Sequence, residues 1–316
     1  MNLVGVRIAV TGASGFCGAA VARAAARAGA EVVCLGRRPG PVGRHRPWDA
    51  AFERPDLSGV DLVVHLAAAV GDPGPGDGVE RAYRAVNVDG TARLLDAAGD
   101  RPVVWVSSAS VYDPRARSTP IREDDPIGGQ LTAYGRSKAA GERLALAAGA
   151  VVLRPRAVYG PGDPHLLPRL VRAVRGRRLL LPGPDVRLSL TAVENLAEAC
   201  LAAPDWPPGA YNIADARPYQ RDAVLTTALA ALGRPVRVVQ VPVGVAMAAA
   251  GAVTRLARLT RSVPTLTRYA VDQLHREVVL DISRAEAQGY RPRFSFPDFL
   301  AALGPGTPGS PDNRSC

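Results

Sequence analysis

Tyr134 and Lys138 are the residues whose types and spacing first indicate chemistry. Lys138 is the only lysine among the 39 lysine and arginine residues of the chain. Because arginine replaces lysine everywhere else, we infer that position 138 needs a compact ammonium group, which a planar guanidinium cannot replace. Tyr134 stands four residues earlier, and residues with this spacing share one face of a helix. An ammonium group favours a neighbouring phenolate, so the pair predicts a tyrosine acid/base whose pKa is lowered from about 10 towards neutrality.

A glycine-rich segment near the N-terminus predicts a nucleotide site. Residues 11–18 read TGASGFCG, and they follow an apolar strand pattern and open a helical one. Gly12 permits a tight turn, Gly15 lets the backbone approach a pyrophosphate, and Gly18 lets the helix pack closely on the sheet. The free N–H groups of the helix N-terminus add a partial positive charge. The cofactor contacts predicted here are Gly12, Ser14, Gly15 and Phe16.

The residues after the second predicted strand indicate which nucleotide binds. An acidic residue there would hold the ribose 2′-hydroxyl of NAD, whereas arginine suits the 2′-phosphate of NADP. Leu35 is followed by Gly36, Arg37 and Arg38, with no carboxylate. Arg37 and Arg38 therefore predict NADP, with NAD as the alternative.

The elements that position these residues alternate between strands and helices. The predicted strands are apolar throughout, so both faces of their sheet are covered, and strand-helix-strand repetition indicates parallel pairing. We therefore predict an α/β fold with a doubly wound parallel sheet, the Rossmann arrangement, which binds ligands beyond the carboxyl ends of its strands. The strands are predicted over residues 6–11, 31–35, 62–66, 103–107 and 151–154, and the helices over 15–28, 83–98 and 134–148.

The second half of the chain is less regular. We predict a dinucleotide-binding domain over residues 1–165, a smaller interleaved substrate-binding lobe over 166–303, and a disordered tail over 304–316. Residues 187–215 are expected to return to the main sheet, through a strand over 211–213. Further helices are predicted over 165–178 and 194–203, and solvated loops over 72–78 and 123–125.

Composition argues against several other classes of protein. The formal charge is +10, but the arginines are scattered, so we expect no nucleic-acid partner. The longest apolar run, over 241–253, is shorter than the roughly 20 residues that span a bilayer, so we expect no membrane span. A buried helix is favoured there, and a surface helix that touches a membrane or an apolar substrate is the alternative. Widely separated cysteines predict reduced thiols and a cytoplasmic protein, and the histidines lack metal-ligand spacing. These residues are Cys17, Cys34, Cys200, Cys316, His45, His65, His165 and His275.

Together these motifs resemble the extended short-chain dehydrogenase/reductases, also described as NAD(P)-dependent epimerase/dehydratases. The resemblance extends from residue 7 to about residue 303. Its landmarks are residues 11–18 (TGASGFCG), 61–68 (DLVVHLAA), 87–91 (NVDGT), 106–112 (VSSASVY), 134–138 (YGRSK), 153–161 (LRPRAVYGP), 193–197 (VENLA), 211–213 (YNI) and 289–292 (GYRP).

The resemblance implies a catalytic set of Ser108, Tyr134 and Lys138. Ser108 would hold the substrate oxygen, Tyr134 would exchange a proton with it, and Lys138 would hold the nicotinamide ribose. The family also implies that an acidic residue meets the adenine, for which Asp49 is favoured over Asp56, and that the stretch of Arg154 and Pro155 passes near the nicotinamide. The other implied cofactor contacts are Leu66, Ala67, Ala68, Asn87 and Pro155.

Departures from the family pattern narrow the reaction. Sugar-nucleotide dehydratases carry Asp-Glu where this chain has Ala109 and Ser110, and sugar-nucleotide epimerases carry an asparagine at the position of Ala157. They also tend to carry an arginine at the position of Leu188, whereas here Arg187 is one step out of register. The segment over residues 193–195 and the proline-rich turn over 154–163 resemble the 3β-hydroxysteroid dehydrogenase-like branch.

We therefore expect an NADP-preferring ketoreductase or secondary-alcohol dehydrogenase that acts on a small organic substrate. The arginine bias indicates a high-GC bacterium, where such enzymes often serve natural-product biosynthesis. A nucleotide-sugar 4-epimerase or 4-ketoreductase is the alternative, and a nucleotide-sensing regulator without turnover is a rival of another class. The helices over residues 83–98 and 134–148 form the dimer contact in many relatives, so we expect a homodimer.

Overall fold

The computed structural model describes residues 3–71, 77–115, 119–164, 170–171, 173–260 and 266–303. The predicted tail over 304–316 lies outside these residues, as do most of the predicted loop over 72–78 and much of the predicted helix over 165–178. Arg178, the last residue of that prediction, begins a strand instead.

A parallel sheet of seven described strands forms the centre of the molecule. Its order is β11-β6-β5-β4-β1-β2-β3, and every neighbouring pair runs parallel. The predicted doubly wound α/β fold is therefore confirmed. In chain order the strands are β1 Arg7–Thr11, β2 Glu31–Gly36, β3 Arg44–Pro47, β4 Leu62–His65, β5 Val103–Val106, β6 Val151–Pro155, β7 Val158–Tyr159, β8 Arg178–Pro182, β9 Arg187–Leu188, β10 Thr191–Ala192, β11 Gly209–Ile213, β12 Tyr219–Gln220 and β13 Arg237–Val241.

Helices cover both faces of this sheet. Leu196 packs with Val21 in the core on one face, and Leu94 packs with Trp105 in the core on the other. In chain order the helices are α1 Phe16–Arg27, α2 Asp77–Arg84, α3 Gly90–Ala98, α4 Ala133–Ala147, α5 Val193–Ala202, α6 Arg221–Ala231, α7 Val243–Leu259, α8 Arg268–His275, α9 Ser283–Ala287 and α10 Phe296–Leu303. Helices α1 and α5 contribute to the first core, and α3 and α4 to the second.

The helix predicted over residues 83–98 is interrupted. A π-helical turn, Ala85–Asp89, separates α2 from α3. Such a turn inserts an extra residue into the helical repeat and re-aims the side chains within it. Here it buries Asn87, whose role at the candidate site is described below.

The sequence prediction missed the edge strand β3. Its residues, RHRP, lack an apolar pattern, and its side chains are half-buried or exposed. The strand forms because its backbone pairs with β2, from Val33 with Arg44 to Gly36 with Pro47. It extends the sheet beside Arg37 and Arg38.

The second half of the chain builds a smaller body with its own core. Two-stranded sheets, β13 with β8 and β12 with β9, lie outside the main sheet, while β11 pairs with β6 within it. Tyr159, Leu229, Phe296 and Phe299 belong to the core of this lobe. Aromatic contacts stabilise it, including Tyr159 with Phe296 at 5.0 Å between ring centroids.

Two predictions about burial were wrong in part. The apolar run over 241–253 does form a helix, α7, but the helix is only partly buried, with Val245 58% and Leu256 61% exposed. None of the described helices is both long and apolar enough to cross a membrane. Glu123 was predicted in a solvated loop but is 7% exposed. Its Oε1 accepts a hydrogen bond from the backbone N–H of Asn212 at 2.8 Å.

Candidate active site

The candidate site lies at the carboxyl edge of the main sheet. The glycine loop follows β1, Ala67 and Ala68 follow β4, Ser108 follows β5, and Pro155 ends β6. Parallel strands bring these ends to one edge, where doubly wound sheets bind nucleotides.

The glycine loop has the geometry of a phosphate cradle. Gly12 adopts φ +66°, and a Cβ on it would lie 2.9 Å from Ala67 N. A Cβ on Gly18 would lie 2.2 Å from Gly12 O, so this glycine lets α1 pack against the turn itself. Helix α1 begins with no side-chain cap and no acidic residue in its first turn, which leaves its N–H groups available for an anion. These residues fit a dinucleotide pyrophosphate.

Thr11 organises the junction between β1 and β4. Its hydroxyl accepts hydrogen bonds from Leu66 N at 3.0 Å and Ala67 N at 2.9 Å, and it lies 2.7 Å from His65 Nδ1. Burial lowers the pKa of His65 to about 3, so the ring is neutral and its Nδ1 can accept the threonine proton. No sequence pattern assigns Thr11 this role, although it ends the first predicted strand.

Asn87 connects the segment after β4 to helix α4. Its Oδ1 accepts from Ala69 N at 2.7 Å, while its Nδ2 donates to Ala69 O at 3.0 Å and to Ser137 Oγ at 2.9 Å. Both amide protons are therefore used within the protein. Asn87 holds the stretch of Leu66, Ala67 and Ala68 in place, and these three residues are themselves partly exposed.

Ser108 and Tyr134 meet at the centre of the site. Thr132 caps α4 by accepting from Gly135 N at 3.1 Å, which places Tyr134 in the first turn of the helix. The Ser108 side chain is a neighbour of the Tyr134 hydroxyl and acts to lower the pKa of that phenol. Burial nevertheless raises the pKa of Tyr134 above its ordinary value, so the phenol is protonated at neutral pH.

Lys138 lies one turn further along α4 and is 3% exposed. Its Nζ donates to Val106 O at 2.7 Å and lies 3.6 Å from the centroid of the Trp105 ring. Burial lowers the pKa of Lys138 to about 7. The expectation that Lys138 lowers the pKa of Tyr134 is wrong for this structure, because the ammonium is directed to the end of β5 and burial dominates both groups.

A buried network fixes α4 against the sheet. Glu142 and Arg154 are 1% and 2% exposed and form an ion pair at 2.6 Å. Arg154 Nη1 also donates to Tyr112 Oη at 2.8 Å, and Ser107 Oγ donates to Glu142. Arg154 belongs to the stretch expected near the nicotinamide, but its side chain forms these bonds in the core. Pro155 is buried at the end of β6. No sequence motif marks Glu142, which lies two turns after Tyr134 on the same helix face.

Cationic side chains line the far end of the predicted cofactor site. Arg37 and Arg38 are exposed directly after β2, and neither forms an ion pair with another described residue. Asp49 Oδ1 accepts from Ala51 N at 2.9 Å, so it caps a local turn after β3. Asp56 lies 3.5 Å from Arg46 and its side chain also accepts from Ser58 N at 2.9 Å.

The described residues include no cluster of three or more side chains able to hold a metal ion. Cys17, Cys34 and Cys200 are free thiols. Burial raises the pKa of Cys17 to about 12, so its thiol is not an activated nucleophile.

Comparisons with known proteins place this site in a family. The chain is 32% identical to 2-alkyl-3-oxoalkanoate reductase from Stenotrophomonas maltophilia, over 94% of this chain and 98% of that protein. It is 29% identical to 4-hydroxy-2-methyl-3-oxo-4-farnesyl-3,4-dihydroquinoline-1-oxide ketoreductase from Stigmatella aurantiaca, over 98% and 100%. The solved structure of MoeE5 with UDP-glucose and NAD superposes with a TM-score of 0.69 and 26% identity, over 95% and 97%.

The sequence model of one protein family matches most of the chain. The match begins in β1 and ends just after β11, so it covers the main sheet. The matched residues, 8–214, include the glycine loop, Ser108, Tyr134 and Lys138. The chain therefore belongs to the NAD dependent epimerase/dehydratase family.

Proposed function

We propose that this oxidoreductase is an NADP-preferring ketoreductase that reduces the ketone of a small organic molecule to a secondary alcohol. The observation that carries the proposal is the placement of Ser108 beside the Tyr134 hydroxyl, at the sheet edge that also presents the glycine loop. The names of the relatives, an oxoalkanoate reductase and a ketoreductase, support it.

Each member of the catalytic set has a distinct role in this proposal. A nicotinamide cofactor supplies the hydride that the carbonyl carbon receives. Ser108 orients the carbonyl oxygen through a hydrogen bond, and the Tyr134 hydroxyl gives that oxygen its proton. Lys138 offers an ammonium group that can donate to a ribose hydroxyl, in exchange for its bond to Val106 O.

The protonation state of Tyr134 fits its proposed role. A phenol whose pKa is raised by burial remains protonated at neutral pH and can act as a general acid towards the carbonyl oxygen.

Arg37 and Arg38 support the preference for NADP. Both side chains are exposed after β2, where a 2′-phosphate would meet them and where no carboxylate follows the strand. We expect the variant with both arginines replaced by alanine to lose at least about 10-fold in NADPH affinity, since each charge-assisted hydrogen bond contributes about 1.5 to 3 kcal/mol. NADH affinity should change much less, and equal losses for the two cofactors would contradict this assignment.

The alternative of a nucleotide-sugar 4-epimerase or 4-ketoreductase has less support. The position of the arginine that binds sugar nucleotides in the family is occupied here by Leu188, which is buried. The neighbouring Arg187 pairs with Glu277 at 2.8 Å. Ala157 has no side-chain amide that could bind a diphosphate, unlike the asparagine of the epimerases. A rise in melting temperature with UDP- or dTDP-sugars, and none with ketones, would favour this alternative.

The proposal is tested by NADPH oxidation in the presence of ketones. Tyr134→Phe removes the general acid and should reduce kcat about 10²- to 10⁴-fold, while NADPH binding is retained. Tyr211→Phe is a matched control, because its hydroxyl bonds to Pro207 O away from the site. If Tyr134→Phe and Tyr211→Phe had equal activity, the proposed acid would be wrong. Biological activity that survived Tyr134→Phe would instead favour the nucleotide-sensing regulator.

Several expectations about the setting of the enzyme stay predictions. A homodimer through α3 and α4 is tested by light scattering, and substitution of Leu144, which is 36% exposed on α4, should weaken it. A cytoplasmic location and a role in natural-product biosynthesis are likewise predicted from the sequence alone.

A further inference from the structure

Arg156 is a buried cation beside the candidate site that the mechanism does not use. It follows the end of β6 at the carboxyl edge of the sheet and is 8% exposed. Its Nη1 donates to Ser189 O at 2.9 Å, and none of the described residues accepts a hydrogen bond from its Nε or Nη2.

The guanidinium of Arg156 has no counter-ion among the described residues. No carboxylate acts on it, and burial lowers its pKa to about 10. This contrasts with Arg154, two residues earlier, which pairs with Glu142 at 2.6 Å. A buried charge without a partner is costly, so its retention points to an anion that the protein itself does not supply.

Arg156 lies at the same edge of the sheet as the reacting groups. It follows β6, which pairs with β5, and Ser108 follows β5 at that edge. Tyr269, on α8, acts to raise the pKa of both Tyr134 and Arg156. A ligand held at Ser108 and Tyr134 would therefore have the Arg156 guanidinium at the same edge of the sheet.

We propose that Arg156 forms an anion-binding subsite that selects ketones bearing a carboxylate over neutral ketones. The planar guanidinium offers donors in the fork geometry that a carboxylate accepts. Its bond to Ser189 O fixes the fork in position. The substrate class is thus an oxo acid, with its ketone at Ser108 and Tyr134 and its carboxylate at Arg156. This inference rests on the proposed ketoreductase function and deepens it.

A matched pair of substrates tests the subsite. NADPH oxidation is measured with a 2-alkyl-3-oxoalkanoate and with its methyl ester, for wild type, Arg156→Met and Arg156→Lys. We expect wild type to prefer the acid through a lower KM, and Arg156→Met to reduce the acid-to-ester ratio of kcat/KM about 10- to 100-fold. Arg156→Lys should retain part of the preference, and Arg23→Met, which removes an exposed arginine on α1, should not alter it.

Two outcomes would overturn the inference. If wild type showed no preference for the acid, Arg156 would not bind a carboxylate. If Arg156→Met reduced turnover of acid and ester equally, the arginine would serve only to connect β6 to the lobe through Ser189.

A binding measurement separates this inference from the proposed function. With NADP⁺ present, the acid should raise the melting temperature of wild type but not of Arg156→Met, even if neither compound is turned over. Absence of turnover with the acid and the ester would count against the ketoreductase and leave the subsite standing. If UDP-glucose alone produced a shift that depends on Arg156, the guanidinium would bind a diphosphate and the oxo-acid inference would be wrong.

Discussion

Replacing Lys138 with methionine should stabilise the protein in the absence of cofactor, and the gain should shrink as the pH rises. Lys138 is 3% exposed, and burial lowers its pKa from 10.5 to about 7. Burying an ammonium group without a carboxylate in contact costs folding free energy, and methionine fills a similar volume without a charge. The lysine proposed to act in the reaction is therefore expected to weaken the fold.

The magnitude follows from the two pKa values. The unfolded chain keeps its proton up to about pH 10.5, whereas the folded protein loses it above about pH 7, so wild-type stability rises with pH between these values. One pKa unit corresponds to about 1.36 kcal/mol, so the rise from pH 7 to pH 9 is about 2 to 3 kcal/mol. Lys138→Met lacks this titration, and its advantage should be largest at or below pH 6 and smaller by that amount at pH 9.

Urea unfolding followed by tryptophan fluorescence at pH 6, 7, 8 and 9 measures this difference. The variant also loses the bond to Val106 O and the contact with Trp105. The part of these interactions that depends on the charge of Lys138 already contributes to its pKa in the folded protein, so the pH dependence still follows from the two pKa values. Arg143→Met removes an exposed charge from the same helix and should give a difference that does not depend on pH. If the difference between wild type and Lys138→Met stayed within about 0.5 kcal/mol from pH 6 to pH 9, the desolvation argument would be refuted.

Three further predictions, made with four substitutions, test other parts of the structure. Glu142→Met should cost about 3 to 5 kcal/mol because it leaves the buried Arg154 unpaired, and adding Arg154→Met should recover much of the loss in urea unfolding; additive losses would contradict this. Ala157→Gly should raise the free energy of unfolding by about 1 kcal/mol, because Ala157 adopts φ +44°; a loss of stability would contradict the strain. Gly18→Ala should weaken NADPH binding at least about 10-fold in fluorescence titration, because its Cβ would lie 2.2 Å from Gly12 O; an unchanged dissociation constant would show that the turn tolerates it.

The main sheet could be predicted from the sequence because its strands are buried on both faces. Val63 and Val104, for example, are fully buried, so their strands read as continuous apolar runs between helical stretches. The glycine loop could also be predicted, because the spacing of its glycines reflects a turn that has no room for Cβ atoms. Strand β3 could not be predicted, because it forms through backbone pairing at an edge and its side chains follow no pattern.

The chemistry of the site was less predictable than its location. The spacing of Tyr134 and Lys138 placed both on one helix face, but it could not show that Lys138 donates to Val106 O. Sequence also cannot separate Arg154, which is paired in the core, from Arg156, which has no carboxylate partner among the described residues. The burial and the ion pairing of a side chain depend on residues far away in the sequence, so the spacing of neighbouring residues does not predict them.

The bonds that Asn212 makes have a consequence for synthesis on the ribosome. This residue of β11 accepts from Tyr112 Oη at 2.7 Å through its side chain and donates its amide to Glu123 Oε1 at 2.8 Å. Tyr112 in turn accepts a hydrogen bond from Arg154, which pairs with Glu142 on α4. A nascent chain that has emerged only as far as β6 already contains Ser108, Tyr134 and Lys138 but lacks β11. The bonds of Asn212 can therefore form only after translation of residues more than sixty codons beyond Lys138.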